Sequence, residues 1–176
     1  MISKPLIALL LTACLVAVAA PIGVVSAGTS PSVCTMTGTN GDDDLRGTPG
    51  DDVICGKGGD DFIRGNGGDD ILLGGGGSDT LIAGKGSDGV KGGKGHDILD
   101  GNKGADTLKG NEGRDNLRGF EGPDILEGGQ NSDCLYTVDG ISGNDIGRGG
   151  PGHDYYDKDE GDDVTGVEEA ASCGGD

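Results

Sequence analysis

The chain has no tryptophan, and its 176 residues include only three tyrosines, two phenylalanines and two methionines. Large apolar side chains build an ordinary globular core, so their scarcity excludes one of conventional size. Positive charge is scarce too: thirteen Lys and Arg stand against thirty-one Asp and Glu, a formal charge of −18. So acidic a chain repels nucleic acid and anionic membranes and favours cations as partners. No stretch carries an amphipathic helical pattern. Where glycine falls at every fourth or fifth place, each would cost a helix about 1 kcal/mol against alanine.

What is abundant is glycine, forty residues of it, and it is phased. Counting in nines from Gly38, the first place reads Gly38, Gly47, Gly56, Gly65, Gly74, Ala83, Gly92, Gly101, Gly110, Gly119, Gly128. The sixth place is always acidic: Asp43, Asp52, Asp61, Asp70, Asp79, Asp88, Asp97, Asp106, Asp115, Asp124, Asp133. The eighth is always aliphatic, from Leu45 through Ile54, Ile63 and Leu72 to Leu135, and the fourth is Gly from Gly41 to Gly122. Eleven repeats thus fill residues 38–136. Residues 137–139 insert three positions, and three weaker repeats over 140–166 restart the phase with Asp145, Asp154 and Asp163 at the sixth place. Residues 28–37 read as a leader and 167–176 as a terminal cap. Such a composition alone reads as disorder, which is expected of the chain without metal. The strict phase argues against permanent disorder, because a linker has no reason to keep Asp at one place in nine.

Each unit divides into a glycine-rich turn and a strand of about three residues around its aliphatic position, with glycine where the backbone needs positive φ or approaches an ion closely. Two units make a coil of eighteen residues, so alternate repeats stack on the same side and a thin aliphatic ladder points inward. Seven coils at about 4.8 Å spacing make a rod about 34 Å long. Calcium takes six to eight oxygen ligands, carboxylates and backbone carbonyls among them. A Gly-Gly-x-Gly-x-Asp turn offers one carboxylate and several unobstructed carbonyls. The candidate carbonyls belong to Gly47, Gly50, Gly56, Gly59, Gly65, Gly68, Gly74, Gly77, Gly92, Gly95, Gly101, Gly104, Gly110, Gly113, Gly119 and Gly122. One turn cannot complete the shell, so each Ca2+ is expected between repeat n and repeat n+2, Asp43 with Asp61 and Asp52 with Asp70. That allows at most about twelve ions. A single Asp would read as a turn residue bonding its own backbone; fourteen in phase read as ligands.

The segment Gly92-Gly93-Lys94-Gly95-His96-Asp97-Ile98-Leu99-Asp100 fits the nonapeptide G-G-x-G-x-D-x-U-x throughout. Gly149-Gly150-Pro151-Gly152-His153-Asp154-Tyr155-Tyr156-Asp157 fits apart from Tyr156. Over residues 38–166 the chain resembles the RTX, or hemolysin-type calcium-binding, repeat family. The resemblance implies an all-β, right-handed parallel β-roll whose glycine-rich turns and aspartates bind calcium. Departures fall at Ala83, Gly89, Asn131, Gly147 and Lys158. Related arrays usually accompany a protease, lipase, toxin or adhesin. Residues 28–37 and 167–176 are too short for any of those, so no enzymatic activity is expected.

Residues 1–27 read as a secretory signal peptide: Lys4, a long apolar run, then Val25-Ser26-Ala27 before Gly28. The alternative is lipoprotein processing at Leu11-Thr12-Ala13-Cys14. The remaining four cysteines suit an oxidising compartment, and we expect Cys34–Cys55 and Cys134–Cys173 bridges near the two ends of the array. Solenoid ends need such capping. The match of residues 84–89 to G-x-G-x-x-G is explained by the repeat, and 157–162 lacks the sixth-place glycine of an EF-hand loop. His96 and His153 sit at the variable fifth place and are expected to face solvent. The expectation is therefore a secreted, monomeric calcium binder that folds on meeting extracellular calcium. The alternative is a calcium-rigidified adhesive protein, using a third-place strip of Lys85, Lys94, Lys103, Glu112 and Glu121.

Overall fold

The computed structural model describes residues 33–141 and 144–169. The expected signal segment, Cys14, half of the leader, Cys173 and most of the expected cap lie outside the described residues. Sixteen strands follow in chain order. The first eight are β1 (Met36–Thr37), β2 (Asp44–Arg46), β3 (Val53–Gly58), β4 (Phe62–Arg64), β5 (Ile71–Gly76), β6 (Thr80–Lys85), β7 (Gly89–Lys94) and β8 (Ile98–Lys103). The rest are β9 (Thr107–Glu112), β10 (Asn116–Glu121), β11 (Ile125–Gln130), β12 (Cys134–Tyr136), β13 (Ile146–Arg148), β14 (Tyr155–Asp157), β15 (Asp163–Thr165) and β16 (Glu168–Glu169). Odd-numbered strands form one eight-stranded parallel sheet and even-numbered strands another. The protein is a parallel β-roll, with no helix among the described residues.

The pairing follows from the eighteen-residue coil: Ile54 lies opposite Leu72, Leu72 opposite Val90, and Leu81 opposite Leu99. Side chains of a strand alternate between faces. In the stretch from Asp61 to Gly65, Asp61, Ile63 and Gly65 are buried while Phe62 and Arg64 are half-buried. The sixth, eighth and first places thus share the interior. The inward column is Ile54, Ile63, Leu72, Leu81, Val90, Leu99, Leu108, Leu117, Leu126 and Leu135, each at most 2% exposed. Met36, Leu45 and Tyr156 pack against it.

Most central strands run six residues rather than the expected three. The ladder continues into the first three places of the next repeat, as Lys57 opposite Gly75 and Gly58 opposite Gly76 show. With no inward side chain there, two glycine-rich backbones come close enough to pair. Residues 137–139 do not break the stack: Leu126 lies opposite Gly147 and Leu135 opposite Tyr156, each twenty-one residues apart, and the strands stay paired. Asp139 anchors the insertion by accepting hydrogen bonds from Asn144 Nδ2 and the Gly122 amide.

Beyond the insertion the sequence reading slips by one residue. Ile146 lies opposite Asp163 and Gly147 opposite Val164, seventeen residues on. Asp162, 5% exposed, therefore takes the buried sixth place, while Asp163 lies exposed on β15. The physical reason is the pleat: a one-residue shift exchanges the faces of a strand. The longer phase would turn Thr165 inward, whereas the observed one sets Val164 against Gly147.

Cys34 and Cys55 form a disulfide that ties the residues before β1 to β3. The expected partner of Cys134 lies outside the described residues.

Candidate metal centre

The sixth-place aspartates form two stacked ladders, one along each edge of the roll. On one edge the amides of Asp43, Asp61, Asp79, Asp97 and Asp115 each donate to Oδ1 of the aspartate in the next coil, at 2.8–2.9 Å. Asp133 donates likewise to Asp154 at 2.9 Å, across the insertion. On the other edge Asp52, Asp70, Asp88, Asp106 and Asp124 donate to Asp70, Asp88, Asp106, Asp124 and Asp145, at 2.7–2.9 Å. The Asp145 amide reaches Asp162 Oδ1 at 3.4 Å and ends that ladder. Repeats n and n+2 are neighbours throughout.

The second carboxylate oxygen is different. In ten aspartates (Asp61, Asp70, Asp79, Asp88, Asp97, Asp106, Asp115, Asp124, Asp133 and Asp145) Oδ2 is buried and accepts no hydrogen bond. Leaving a buried acceptor of a charged group unpaired costs several kcal/mol, on the order of 1–3 or more. The acids respond by holding their protons. Burial pushes Asp70, Asp79, Asp88, Asp97 and Asp145 up to about 6, and Asp124 and Asp133 up to about 7, against opposition from the ladder amides. Neighbouring carboxylates add to the rise, Asp106 and Asp145 acting on Asp124 and Asp115 and Asp154 on Asp133.

Glycine makes the space. A methyl on Gly56 would collide with Asp61 Oδ2 and stand 2.6 Å from the Gly74 carbonyl oxygen. The same pair of oxygens, a carboxylate from repeat n and a first-place carbonyl from repeat n+2, surrounds Gly65, Gly74, Gly101, Gly110 and Gly128. At the fourth place, Gly77 through Gly122 have φ between +121° and +143°, and a methyl there would strike the glycine carbonyl one coil back. The first-place glycines of the central repeats lie within strands, so their carbonyls also serve the sheet ladder; the Asn66 amide, for example, donates to Ala83 O at 2.9 Å. Gly47 O accepts from Asn66 Nδ2. The fourth-place carbonyls of Gly59, Gly68, Gly77, Gly95 and Gly104 point along the stack.

Among the described residues no three His, Cys, Asp or Glu groups converge on one point. A cation here would draw its remaining donors from main-chain oxygens. That donor set, hard oxygens with one orphaned carboxylate per turn, fits calcium. His96 and His153 are exposed, and His96 Nδ1 accepts the Arg114 amide at 2.9 Å. Along the third place, Lys94 pairs with Glu112 at 3.6 Å and Lys103 with Glu121 at 2.7 Å, which neutralises most of the expected charged strip. Two features escaped the repeat count. Thr39 and Thr48 bond the carboxylates of Asp43 and Asp52, and Thr137 within the insertion is buried with its Oγ1 3.0 Å from Asp162 Oδ2. The signal for the first pair was present: threonine fills the second place in no other repeat from 38 to 136.

A parallel β-roll whose turns are lined with buried acids is the class these features define. The family model for the RTX calcium-binding nonapeptide repeat matches four overlapping stretches, residues 37–72, 56–90, 73–108 and 100–135. Together they span more than half of the chain, and the protein belongs to that family. No curated protein matches it.

Proposed function

We propose that this is a secreted protein whose roll is completed by calcium, and that it folds on meeting calcium outside the cell. One observation carries the reading: the buried Oδ2 atoms, orphaned in phase from Asp61 to Asp145. A divalent cation bound there neutralises the carboxylates and joins one coil to the next. The chain's own residues do the rest. The ladder amides hold each carboxylate by Oδ1 and present Oδ2, and the first-place glycines leave room beside it for the neighbouring carbonyl.

Without cations, aligned carboxylates about 5 Å apart repel along each edge. Extracellular calcium modules bind with Kd on the order of 10⁻⁴–10⁻³ M. Cytosolic calcium lies far below that, so the chain is unfolded and export-competent inside and a folded rod outside. The leader read in residues 1–27 supports this direction of travel. The protein acts as a calcium-binding structural module rather than an enzyme. Far-UV circular dichroism tests the reading: β-structure grows as CaCl₂ is added to EDTA-treated protein, and magnesium substitutes poorly because it demands a smaller octahedral shell. A spectrum unchanged up to about 10 mM calcium, ten times the upper end of that range, refutes it.

A further inference from the structure

The first two turns of the array are built differently from those that follow as far as Asp145, and three observations agree on it. Their carboxylates are satisfied: the Thr39 amide and Oγ1 donate to Asp43 Oδ2 at 2.6 and 3.0 Å, and the Thr48 amide and Oγ1 donate to Asp52 Oδ2 at 2.6 and 2.9 Å. This is the oxygen that stands orphaned from Asp61 to Asp145.

Their backbone differs as well. At the second place Lys57, Asn66, Asn102, Asn111 and Phe120 hold φ between +70° and +88°, whereas Thr39 and Thr48 are not among the positive-φ residues. β-Branched side chains resist that region, and the ordinary φ lets the amide turn toward the acid four residues ahead. Their fourth-place glycines are also unconstrained. A methyl on Gly41 or Gly50 would meet nothing nearer than the threonine Oγ1 at 3.9 Å, whereas on Gly59 or Gly68 it would run into backbone.

Further side-chain donors close the same end. Lys57 Nζ donates to Gly38 O at 2.9 Å and Asn66 Nδ2 to Gly47 O at 2.8 Å. These first-place carbonyls belong to the first two turns, and among the described residues no earlier coil supplies them an amide. The Cys34–Cys55 disulfide ties down the segment over β3. A carboxylate that already has two donors on the oxygen in question does not need a cation there.

We propose that the first coil is a metal-free cap, in which the threonines stand where later turns hold an ion, so that calcium binding begins at Asp61 and Asp70 and excludes Asp43 and Asp52. The inference rests on the calcium reading above and assigns its first sites. It gives the roll an end that is closed by protein hydrogen bonds, where an unpaired strand edge would otherwise be exposed.

Counting bound calcium on the intact chain by native mass spectrometry tests it. The Asp43→Asn/Asp52→Asn double variant should carry as many ions as the parent, and Asp61→Asn/Asp70→Asn should carry two fewer. Loss of one or two ions from the first pair overturns the cap. A parent chain that binds no calcium overturns the calcium reading itself, and the cap falls with it. A second measurement needs no substitution: anomalous scattering from calcium-grown crystals of the unaltered protein. It should show peaks beside Asp61 and Asp70 and none between Thr39 and Asp43 or between Thr48 and Asp52. A peak at either of those two places refutes the proposal even if the variants fail to fold.

Discussion

Acid should partly replace calcium in holding the roll together. In the metal-free fold, burial and neighbouring carboxylates push five ladder aspartates up to about 6 and two to about 7. In the unfolded chain the same groups titrate near 3.9. The folded state therefore binds more protons throughout that window, and stability rises as pH falls. The contribution is complete below about pH 4 and is lost as pH climbs through 6 and 7. Near pH 6 the five are about half protonated and the two about nine-tenths protonated when folded, against almost none when unfolded, an excess of about four protons. Each excess proton contributes about 1.4 kcal/mol per pH unit, so the slope is on the order of 6 kcal/mol per pH unit. The assay is far-UV circular dichroism with a urea midpoint, on EDTA-treated protein at pH 8, 7, 6 and 5. β-Structure and the midpoint should both rise toward pH 5. The Asp124→Asn/Asp133→Asn variant, with the two highest-titrating acids made permanently neutral, should show a shallower slope and more structure at pH 7.5. A metal-free chain equally unstructured from pH 8 to 5, or one that loses structure on acidification, would refute the argument, as would an unchanged slope in the double variant.

Two further substitutions probe the turn geometry. Gly104 has φ +132° and faces the Gly86 carbonyl, so Gly104→Ala combines backbone strain of about 1–3 kcal/mol with a direct collision. The calcium-loaded protein should lose at least that much by urea titration, and a loss under about 0.5 kcal/mol would show that the stack gives way locally. Phe120 holds φ +70° with its side chain exposed, where left-handed geometry costs a bulky residue about 1–2 kcal/mol. Asparagine tolerates that region and occupies the same place at 66, 102 and 111. Phe120→Asn should therefore raise stability by about 1 kcal/mol, and a lower urea midpoint would mean the ring contributes packing that outweighs the strain.

The two sheets, the inward aliphatic column and the adjacency of repeats n and n+2 were all legible from the nine-residue period, because a constant eighteen-residue coil sets the same place of alternate repeats side by side. Legibility failed where another force overrides the count. In the last coil the choice between Val164 and Thr165 for the interior is made by hydrophobicity, and the coil shortens by one residue so that valine wins. Asp162 rather than Asp163 enters the turn as a result. Strand length was misjudged because glycine is a poor strand former by propensity, yet in this stack its lack of a side chain lets Lys57–Gly58 and Gly75–Gly76 pair closely. The threonine closures at 39 and 48 were visible as letters but not as chemistry. Their meaning depends on which carboxylate oxygen is left over, and only the geometry of the ladder separates Oδ1 from Oδ2.

The buried acids and the thin core have one cause. Strand pleating puts the sixth, eighth and first places of every repeat on the inner face, as Asp61, Ile63 and Gly65 illustrate. Each coil thus buries two carboxylates for every two aliphatic side chains, and the third inward place is glycine in every repeat from 38 to 136 except at Ala83, because a methyl takes room beside the acid. An interior that is half carboxylate cannot be stabilised by burial alone, since the aliphatic ladder supplies about 2 kcal/mol per residue while each unpaired charge costs at least as much. Positive charge has to come from somewhere. Protons supply it in acid, side-chain donors supply its equivalent in the first coil, and in the coils from Asp61 to Asp145 first-place carbonyls stand close by while no donor bonds Oδ2. Oxygens alone cannot satisfy an oxygen, so the middle of the roll is left with a requirement that a hard cation meets and the chain's own atoms do not.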